Sequence, residues 1–160
     1  MDDKLFYEDV DEGTEHESSG RTVTEADVVN FAGLSADFNN MHIDEEFAKN
    51  TVFKTRVAHG MCVLSIATGL WFTMPRLATI AFMGLQDWRF SGAVKPGDTV
   101  KITRKLVEKK EHKRPNMGFL NWEVNVVNQA GEVVQKGIWV ILVQRKDCLL
   151  YTSPSPRDRG

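Results

Sequence analysis

The chain has little cysteine, little net charge and no apolar run long enough to cross a membrane. Its 160 residues include two cysteines, Cys62 and Cys148, so neither a disulfide framework nor a cysteine metal site is expected. A net charge of -2 gives no general attraction for nucleic acid or for a membrane surface. The longest apolar run, residues 57–72, is interrupted by three polar residues and is shorter than the roughly 20 residues a bilayer requires. We therefore expect neither a nucleic-acid partner nor a membrane partner.

The first thirteen residues, MDDKLFYEDVDEG, are acidic and do not show the basic-then-apolar order of a signal peptide. The whole chain has the ordinary composition of a globular protein, with 42% hydrophobic and 26% charged residues, and its length suits one domain. We therefore expect a cytoplasmic protein with a lead-in over residues 1–13 and a single domain over residues 14–147.

The last thirteen residues, CLLYTSPSPRDRG, differ in composition from everything before them. One interpretation is a disordered polar tail. The interpretation we favour is that this string is non-native, because it resembles the translation of a transposon-end adapter used in sequencing libraries. Cys148 would then be foreign to the natural protein.

The first half of the domain predicts short elements around a loop. Residues 14–23 favour a strand, and Thr24 with Asp27 gives a helix start whose buried face carries Val28, Phe31 and Ala32. Residues 33–41 contain glycine, serine, aspartate and two adjacent asparagines, which favour a loop. A second short helix follows.

The second half predicts one buried helix and four strands. Asp44 is placed to cap the short helix, with Phe47 and Ala48 turned inward. The run after Gly60 is apolar on almost every side, so we expect a helix that other elements enclose. Segments 78–90, 99–108, 118–128 and 132–144 read as strands separated by turn signals. The fold class predicted is α+β, with an antiparallel sheet of about five strands wrapped around one long buried helix.

Asp37 and His42 are the strongest candidates for chemistry. They lie five residues apart in the predicted loop, so a carboxylate and an imidazole can converge on one small volume. Together such groups deliver and remove protons near neutral pH. The spacing alone leaves an alternative open, in which the aspartate caps a turn and the histidine bonds to the backbone.

The residues around this pair resemble a known family. The segment SADFNNMHIDEEFA at residues 35–48, followed by RVAHGM at residues 56–61, resembles the MaoC-like dehydratases, the (R)-specific enoyl-CoA hydratases of the hotdog fold. The segment WRFSGAVKPGDTV at residues 88–100 is similar to the family's strand-loop-strand, and the resemblance covers residues 15–145. Asn40 stands where the family's loop usually carries proline.

The resemblance implies that Asp37 and His42 jointly activate a water molecule. The reaction that the resemblance implies adds water to a trans-2-enoyl thioester of coenzyme A, or removes it from the 3-hydroxyacyl thioester, and we expect no metal or redox cofactor. Hydration builds negative charge on the thioester oxygen, so a donor must be aimed there. The start of the buried helix supplies N–H groups without intrahelical partners, and Gly60 matches the oxyanion position because its N–H can be approached closely.

Three more residues are assigned to substrate binding. Asn39 matches the family's loop asparagine, and it either orients the pair or forms a turn. Thr68 lies where the family often carries a hydroxyl near the acyl pocket, although a bond to the carbonyl four residues back is the alternative. Arg56, with Lys54 and Arg89, is a candidate for the phosphates of coenzyme A.

Two functions other than hydration stay open. The same fold and the same carrier suit a hotdog acyl-CoA thioesterase or a non-catalytic subunit that binds acyl thioesters.

His59 is interpreted as structural, held by the backbone at its turn, and Cys62 as a small buried apolar residue. A sheet with an exposed edge invites pairing, so a homodimer or a higher homo-oligomer is expected.

Overall fold

The computed structural model describes residues 4–146, which form a curved antiparallel sheet with helices on its inner side. The proposed tail with Cys148 lies outside the described residues. Within them, no helix combines the length and the apolar character needed to span a membrane. The helices are α1 (Glu25–Ser35), α2 (Asn40–Ile43), α3 (Glu45–Ala48) and α4 (Gly60–Leu70), with 3-10 turns at Tyr7–Asp9 and Trp71–Thr73. The strands are β1 (Glu15–Glu17), β2 (Arg21–Thr22), β3 (Thr79–Phe90), β4 (Thr99–Glu111), β5 (Met117–Asn128) and β6 (Val133–Gln144).

The sheet has the order β1-β4-β5-β6-β3, and β2 also pairs with β4. Six strands therefore occupy five positions, which confirms the predicted α+β architecture. The predicted first strand is divided into β1 and β2 at Ser18. Its backbone N–H still donates to the Ile102 carbonyl, but the Ile102 N–H donates to the Ser18 hydroxyl instead of to a backbone carbonyl. The other four strands begin and end within about three residues of their predicted bounds.

The core lies between α4 and the inner face of the sheet. Leu64, Ala67 and Leu70 of α4 belong to the same buried cluster as Trp122 of β5 and Trp139 of β6. The residues of β5 alternate between its two faces, and the inward ones are fully buried: Leu120, Trp122, Val124 and Val126. Burial of so much apolar surface at the helix-sheet contact is the main stabilising contribution to this fold.

Two predictions about buried faces are wrong. Phe47 is 47% exposed, so only Ala48 of α3 points inward. The helix α4 is not enclosed on all sides of a single chain, because Met61 is 54% exposed and Ser65 and Thr68 also face outward. The apolar composition of α4 therefore marks one buried face and one face that a single copy leaves open.

The predicted loop is also shorter than expected. The capping box of Thr24 and Asp27 starts α1 as predicted, but the helix continues to Ser35, whose hydroxyl donates to the Phe31 carbonyl. Ala36 ends the helix with a left-handed backbone, φ 60°. The loop is therefore limited to residues 36–39, because α2 begins at Asn40.

One buried charge lies at the far end of α4 from the loop. Arg104 is 1% exposed, and its guanidinium lies 4.2 Å from the ring centre of Trp71 and 4.7 Å from that of Trp122. It donates to the Pro75 carbonyl at 2.7 Å and to Nδ1 of His16 at 3.2 Å. Burial lowers the pKa of Arg104 to about 10.

Candidate active site

The loop at residues 36–39 is built by its own polar side chains. The Asp37 carboxylate accepts a hydrogen bond from the Asn39 amide at 3.2 Å, and the Asn39 side chain accepts from the Met41 amide at 3.2 Å. Asn39 is thus the N-cap of α2, which is the turn-forming alternative. Its cap fixes where α2 begins, and so where His42 stands relative to Asp37.

His42 is buried, and its tautomer follows from its partner. Its Nδ1 lies 2.7 Å from the Val57 carbonyl oxygen, which can only accept, so Nδ1 carries the proton in the neutral ring. Nε2 then carries the free lone pair of the ring, and Oδ2 of the Asp37 carboxylate lies 3.9 Å from it. That gap is too long for a direct hydrogen bond, yet one water molecule can bond to both atoms at once.

His59 connects the two members of the pair. Its ring stacks on that of His42, with centroids 3.8 Å apart, and its Nε2 donates to the backbone carbonyl of Asp37 at 2.9 Å. Phe31 of α1 packs against the same ring with centroids 5.0 Å apart. His59 is held by backbone, as predicted. The sequence did not indicate that the backbone partner is Asp37 itself.

Within residues 4–146, these three side chains are also the group whose donor atoms lie close enough together to be considered as a metal site. Donor atoms of Asp37, His42 and His59 lie within 4.8 Å of one another. The two imidazoles are stacked with 28° between their planes. A metal ion lies in the plane of each ring that binds it, and two stacked rings do not bring their planes together on one ion. The arrangement suits proton transfer better than chelation.

Gly60 begins α4 at the edge of a cavity of about 440 Å³. A β-carbon on Gly60 would lie 2.7 Å from the ring of Phe90, so glycine is required for this close approach. The first-turn N–H groups of α4 have no partners four residues back and carry the positive end of the helix dipole. The cavity is lined by Met41, His42, Phe53, Val57, Ala58, Gly60, Val63, Phe90, Ser91, Gly92, Ala93, Val94 and Gln135.

Gln135 is a residue of this cavity that the sequence did not single out. It lies on β6 and is 2% exposed, and its Nε2 donates to the Gly60 carbonyl at 2.9 Å. A polar residue within an apolar strand was the available signal. Its partner 75 positions earlier in the chain could not be inferred without the sheet register.

Arg56 lies beside the site but is occupied. Its Nε donates to Glu45 at 2.9 Å, and its terminal nitrogens bind both carboxylate oxygens of Glu25. The hydrogen bonds from Arg56 and then Thr55 lower the pKa of Glu45. Arg56 thus ties α1 to α3, and the structure does not bring it to the cavity.

Thr68 is not at the cavity either. Its hydroxyl donates to the Ser65 carbonyl at 2.6 Å on the exposed face of α4, a variant of the local bond named as its alternative. Cys62 is free and 3% exposed, which agrees with the interpretation of a small buried residue. Asp37, His42 and Gly60 are the predicted residues that the structure gathers at one place, with Asn39 as the cap of the helix that carries His42.

The chain is similar to known proteins in sequence. The family model described as "MaoC like domain" matches residues 9–127. An (R)-specific enoyl-CoA hydratase of Rhodospirillum rubrum is 39% identical over 99 residues, which cover 61% of this chain and 67% of that protein. The chain spans 30% to 67% of the length of three curated relatives of this kind, this hydratase included.

Solved structures show the same fold. A MaoC-like dehydratase from Rhodospirillum rubrum superposes with a TM-score of 0.78 at 27% identity, over 89% of this chain and 98% of that one. A Mycobacterium tuberculosis protein described as a double hotdog superposes with a TM-score of 0.79 at 14% identity, over 95% of this chain and 46% of that one. The sheet around α4 is therefore a hotdog fold, and the chain belongs to the MaoC-like domain family.

Proposed function

We propose that this chain is a hydro-lyase that adds water to a trans-2-enoyl thioester of coenzyme A and removes it from the (R)-3-hydroxyacyl thioester. The observation that carries the proposal is the geometry of one cavity. His42 and Gly60, the first residue of α4, both line it. The Asp37 carboxylate lies outside the lining, 3.9 Å from His42 Nε2. A relative of this chain is named an (R)-specific enoyl-CoA hydratase, which supports this reaction class.

The pair activates water in a direct way. A water molecule that donates one hydrogen to His42 Nε2 and the other to the Asp37 carboxylate keeps a lone pair for the β-carbon of the enoyl group. As the new C–O bond forms, one proton passes to the pair and a proton is delivered to the α-carbon. The sum adds H and OH across the double bond, and the same groups perform the reverse step.

The start of α4 stabilises the charge that forms. Attack on the β-carbon moves an electron pair toward the thioester oxygen, which becomes an enolate oxygen before the α-carbon is protonated. N–H groups aimed at that oxygen favour the transition state over the ground state. Because Gly60 has no side chain, the thioester can approach these groups beside Phe90.

The carrier is proposed from two cations that are next in sequence to residues of the cavity. Lys54 and Arg89 are exposed, and each is the direct neighbour of a cavity residue, Phe53 and Phe90 respectively. These two side chains are the proposed contacts for the phosphates of coenzyme A, and the paired Arg56 is not. The proposed location is the cytoplasm.

The proposed assembly is a homodimer that pairs through β3. This strand is the last in the sheet order and exposes a row of apolar side chains: Ile80, Phe82, Met83 and Leu85. An open strand edge with apolar residues favours pairing with a second copy. Light scattering on the wild type and on a double change, Ile80→Lys with Met83→Lys, tests this. The wild type is expected as a dimer and the variant as a monomer.

The activity is tested with a series of trans-2-enoyl-CoA substrates of increasing chain length. Loss of the absorbance of the conjugated thioester reports hydration, and chromatography on a chiral phase identifies the (R)-3-hydroxyacyl product. A free-thiol assay on the same samples separates hydration from thioester cleavage, since only cleavage releases coenzyme A. Release of thiol, or binding without any turnover along the series, would overturn the assignment.

A further inference from the structure

The side chain of Gln135 is a buried amide with both ends paired at the active site. It is 2% exposed, its Nε2 donates to the Gly60 carbonyl at 2.9 Å, and its Oε1 accepts from Trp88 Nε1 at 3.3 Å. A buried amide costs free energy unless it is hydrogen-bonded. Gln135 meets that requirement with two hydrogen bonds, one to the start of α4 and one to the indole of Trp88.

The chemistry of the partners sets the orientation of this amide. An indole N–H only donates, so it must face the amide oxygen, and a backbone carbonyl only accepts, so it must face the amide nitrogen. A flip of the Gln135 amide would place donor against donor and acceptor against acceptor. Trp88 therefore selects the orientation in which Gln135 donates to Gly60.

The sheet is built to place Trp88 there. The pairing of β3 with β6 shifts register between Gln86 and Arg89, and Asp87 adopts a left-handed backbone with φ 50°. Such a bulge re-aims the side chain that follows it. A β-carbon on Gly137 would lie 2.8 Å from the Trp88 Cα, so glycine on β6 makes the room that this placement needs.

Gly60 is thereby held from two neighbouring positions of the sheet. Phe90 and Gln135 are paired across β3 and β6, and the Phe90 ring packs on the Gly60 Cα while Gln135 binds the Gly60 carbonyl. The carbonyl and the Met61 N–H belong to one rigid peptide plane. A bond to that carbonyl therefore fixes the direction of a first-turn N–H, and it also polarises the peptide.

We propose that Gln135 is a positioning residue that aims the first-turn N–H groups of α4 at the thioester oxygen, with Trp88 holding its amide in the donating orientation. This inference rests on the proposed function, because it assigns Gln135 to the oxyanion site of that reaction. Gln135 does not itself touch the reacting atoms in this assignment. Its role is carried through the Gly60–Met61 peptide.

The first test removes the donor and keeps the volume. Gln135→Met is expected to lower kcat for enoyl-CoA hydration by about 10-fold to 100-fold, with KM changed by less than about threefold, because the lost aim affects the transition state most. Asn121→Leu is the matched control, since Asn121 is a buried amide on β5 that bonds to Glu108 and not to α4. It is expected to keep the wild-type kcat. Equal losses in both variants, or no loss in Gln135→Met, would overturn the inference.

The second test uses a group that donates only when protonated. Gln135→Glu introduces a carboxyl of the same shape, whose protonated form can donate to the Gly60 carbonyl and whose ionised form cannot. The ratio of variant to wild-type kcat is expected to rise as the pH falls, and taking the ratio removes the pH dependence that the two enzymes share. A ratio that does not change with pH indicates a packing role and contradicts the assignment.

The third test asks whether Trp88 and Gln135 act as one unit. Trp88→Phe removes the indole donor and is expected to lower kcat by a smaller factor than Gln135→Met. The double variant is expected to be no slower than Gln135→Met alone, since the indole has no amide left to orient. Multiplied losses in the double variant would show that Trp88 acts independently of Gln135.

A readout without turnover separates this inference from the proposed function. Amide chemical shifts of Gly60 and Met61 are expected to move in Gln135→Met, while that of Gly69 at the other end of α4 stays in place. If the wild type hydrates no enoyl-CoA, the proposed function fails, and these shifts still decide the positioning role. Unchanged shifts at Gly60 and Met61 would overturn the positioning role alone.

Discussion

The ring of His59 donates a hydrogen bond of 2.9 Å from Nε2 to the backbone carbonyl of Asp37. The same ring stacks on His42, and the next residue, Gly60, begins α4. One buried side chain thus sets the distance between the carboxylate, the imidazole and the start of the helix. The acid/base pair and the oxyanion site are held as one unit for this reason, although three different segments supply them.

The bond between His59 and Asp37 predicts a loss of turnover without a loss of fold. His59→Phe keeps the stacked ring and removes the N–H donor, so the Asp37 loop is less well held. We expect kcat to fall by about 10-fold to 100-fold, the size of effect that a small misplacement of a catalytic group produces. Steady-state kinetics with circular dichroism measures both properties. A variant with wild-type kcat would show that the bond does not position Asp37.

Asp37 itself is expected to matter for chemistry and not for stability. Its side chain is 52% exposed, so Asp37→Asn leaves packing unchanged while it removes the carboxylate that holds the water. Turnover is expected to fall by about 10² to 10⁴, the contribution of a positioned acid/base group. Glu46→Gln makes the same change of charge at a side chain that is 83% exposed, and it serves as the control. Unchanged turnover in Asp37→Asn would contradict the assignment of Asp37 to the acid/base pair.

The two glycines of α4 at positions 60 and 69 are expected to respond differently to alanine. A β-carbon at Gly60 would meet Phe90 at 2.7 Å, whereas one at Gly69 meets nothing within 4 Å. Gly69→Ala is expected to keep full activity and to gain up to about 1 kcal/mol of stability from helix propensity. Gly60→Ala is expected to lose most activity, because the ring of Phe90 must move within the cavity. Activity is measured by the hydration assay and stability by urea unfolding.

A separate control tests whether the Phe90 ring is the reason that Gly60→Ala loses activity. Replacing Phe90 with alanine in both backgrounds removes the ring that the new β-carbon would meet. The loss caused by Gly60→Ala is expected to be smaller in the Phe90→Ala background than in the wild type. An equal loss in both backgrounds would mean that the closeness of Phe90 is not the reason for glycine at this position.

Arg56 is expected to support stability and not to bind substrate. Its guanidinium binds Glu25 and Glu45, which lie on different helices. Arg56→Gln is expected to cost about 1 kcal/mol or less of unfolding free energy, as partly exposed ion pairs do, and to leave KM for acyl-CoA unchanged. Lys54→Gln and Arg89→Gln are expected to raise KM instead. A raised KM in Arg56→Gln with unchanged stability would restore its predicted role at the phosphates.

His16 is expected to make the fold less stable in mild acid. Burial, together with the charge of Arg104, lowers the pKa of His16, whose Nδ1 already accepts from Arg104. The unfolded chain therefore takes up this proton first as the pH falls below about 6.5, so stability declines from there until the folded-state pKa is passed. Carboxylates with a lowered pKa, such as Glu45, lose their contribution only at lower pH, near and below about 4.5.

The measurement is urea unfolding of the wild type and of His16→Asn between about pH 7 and pH 5. Asparagine offers an oxygen at the place of Nδ1 and does not titrate. The free energy of unfolding is expected to decline across this range in the wild type and to stay flatter in the variant. Parallel curves would contradict the role assigned to His16.

The elements that the sequence determined by itself are those with local causes. The capping box of Thr24 and Asp27, the start of α3 at Asp44, and the alternation that buries Trp122 all act within a few residues. The pair Asp37 and His42 was also found from its own segment, because both members lie in one short loop. These features do not depend on which distant segments of the chain come into contact.

Only the tertiary structure decided which distant residues meet. Gln135 reaches Gly60 because β6 pairs with β3 in a defined register. The same register pairs Phe90 with Gln135, and this places the Phe90 ring beside Gly60. Arg56 was assigned to phosphates because its type suits them, and the fold instead places Glu25 and Glu45 beside it. Contacts of this kind depend on strand register and on helix packing, and the residue types along the chain do not reveal which partners will meet.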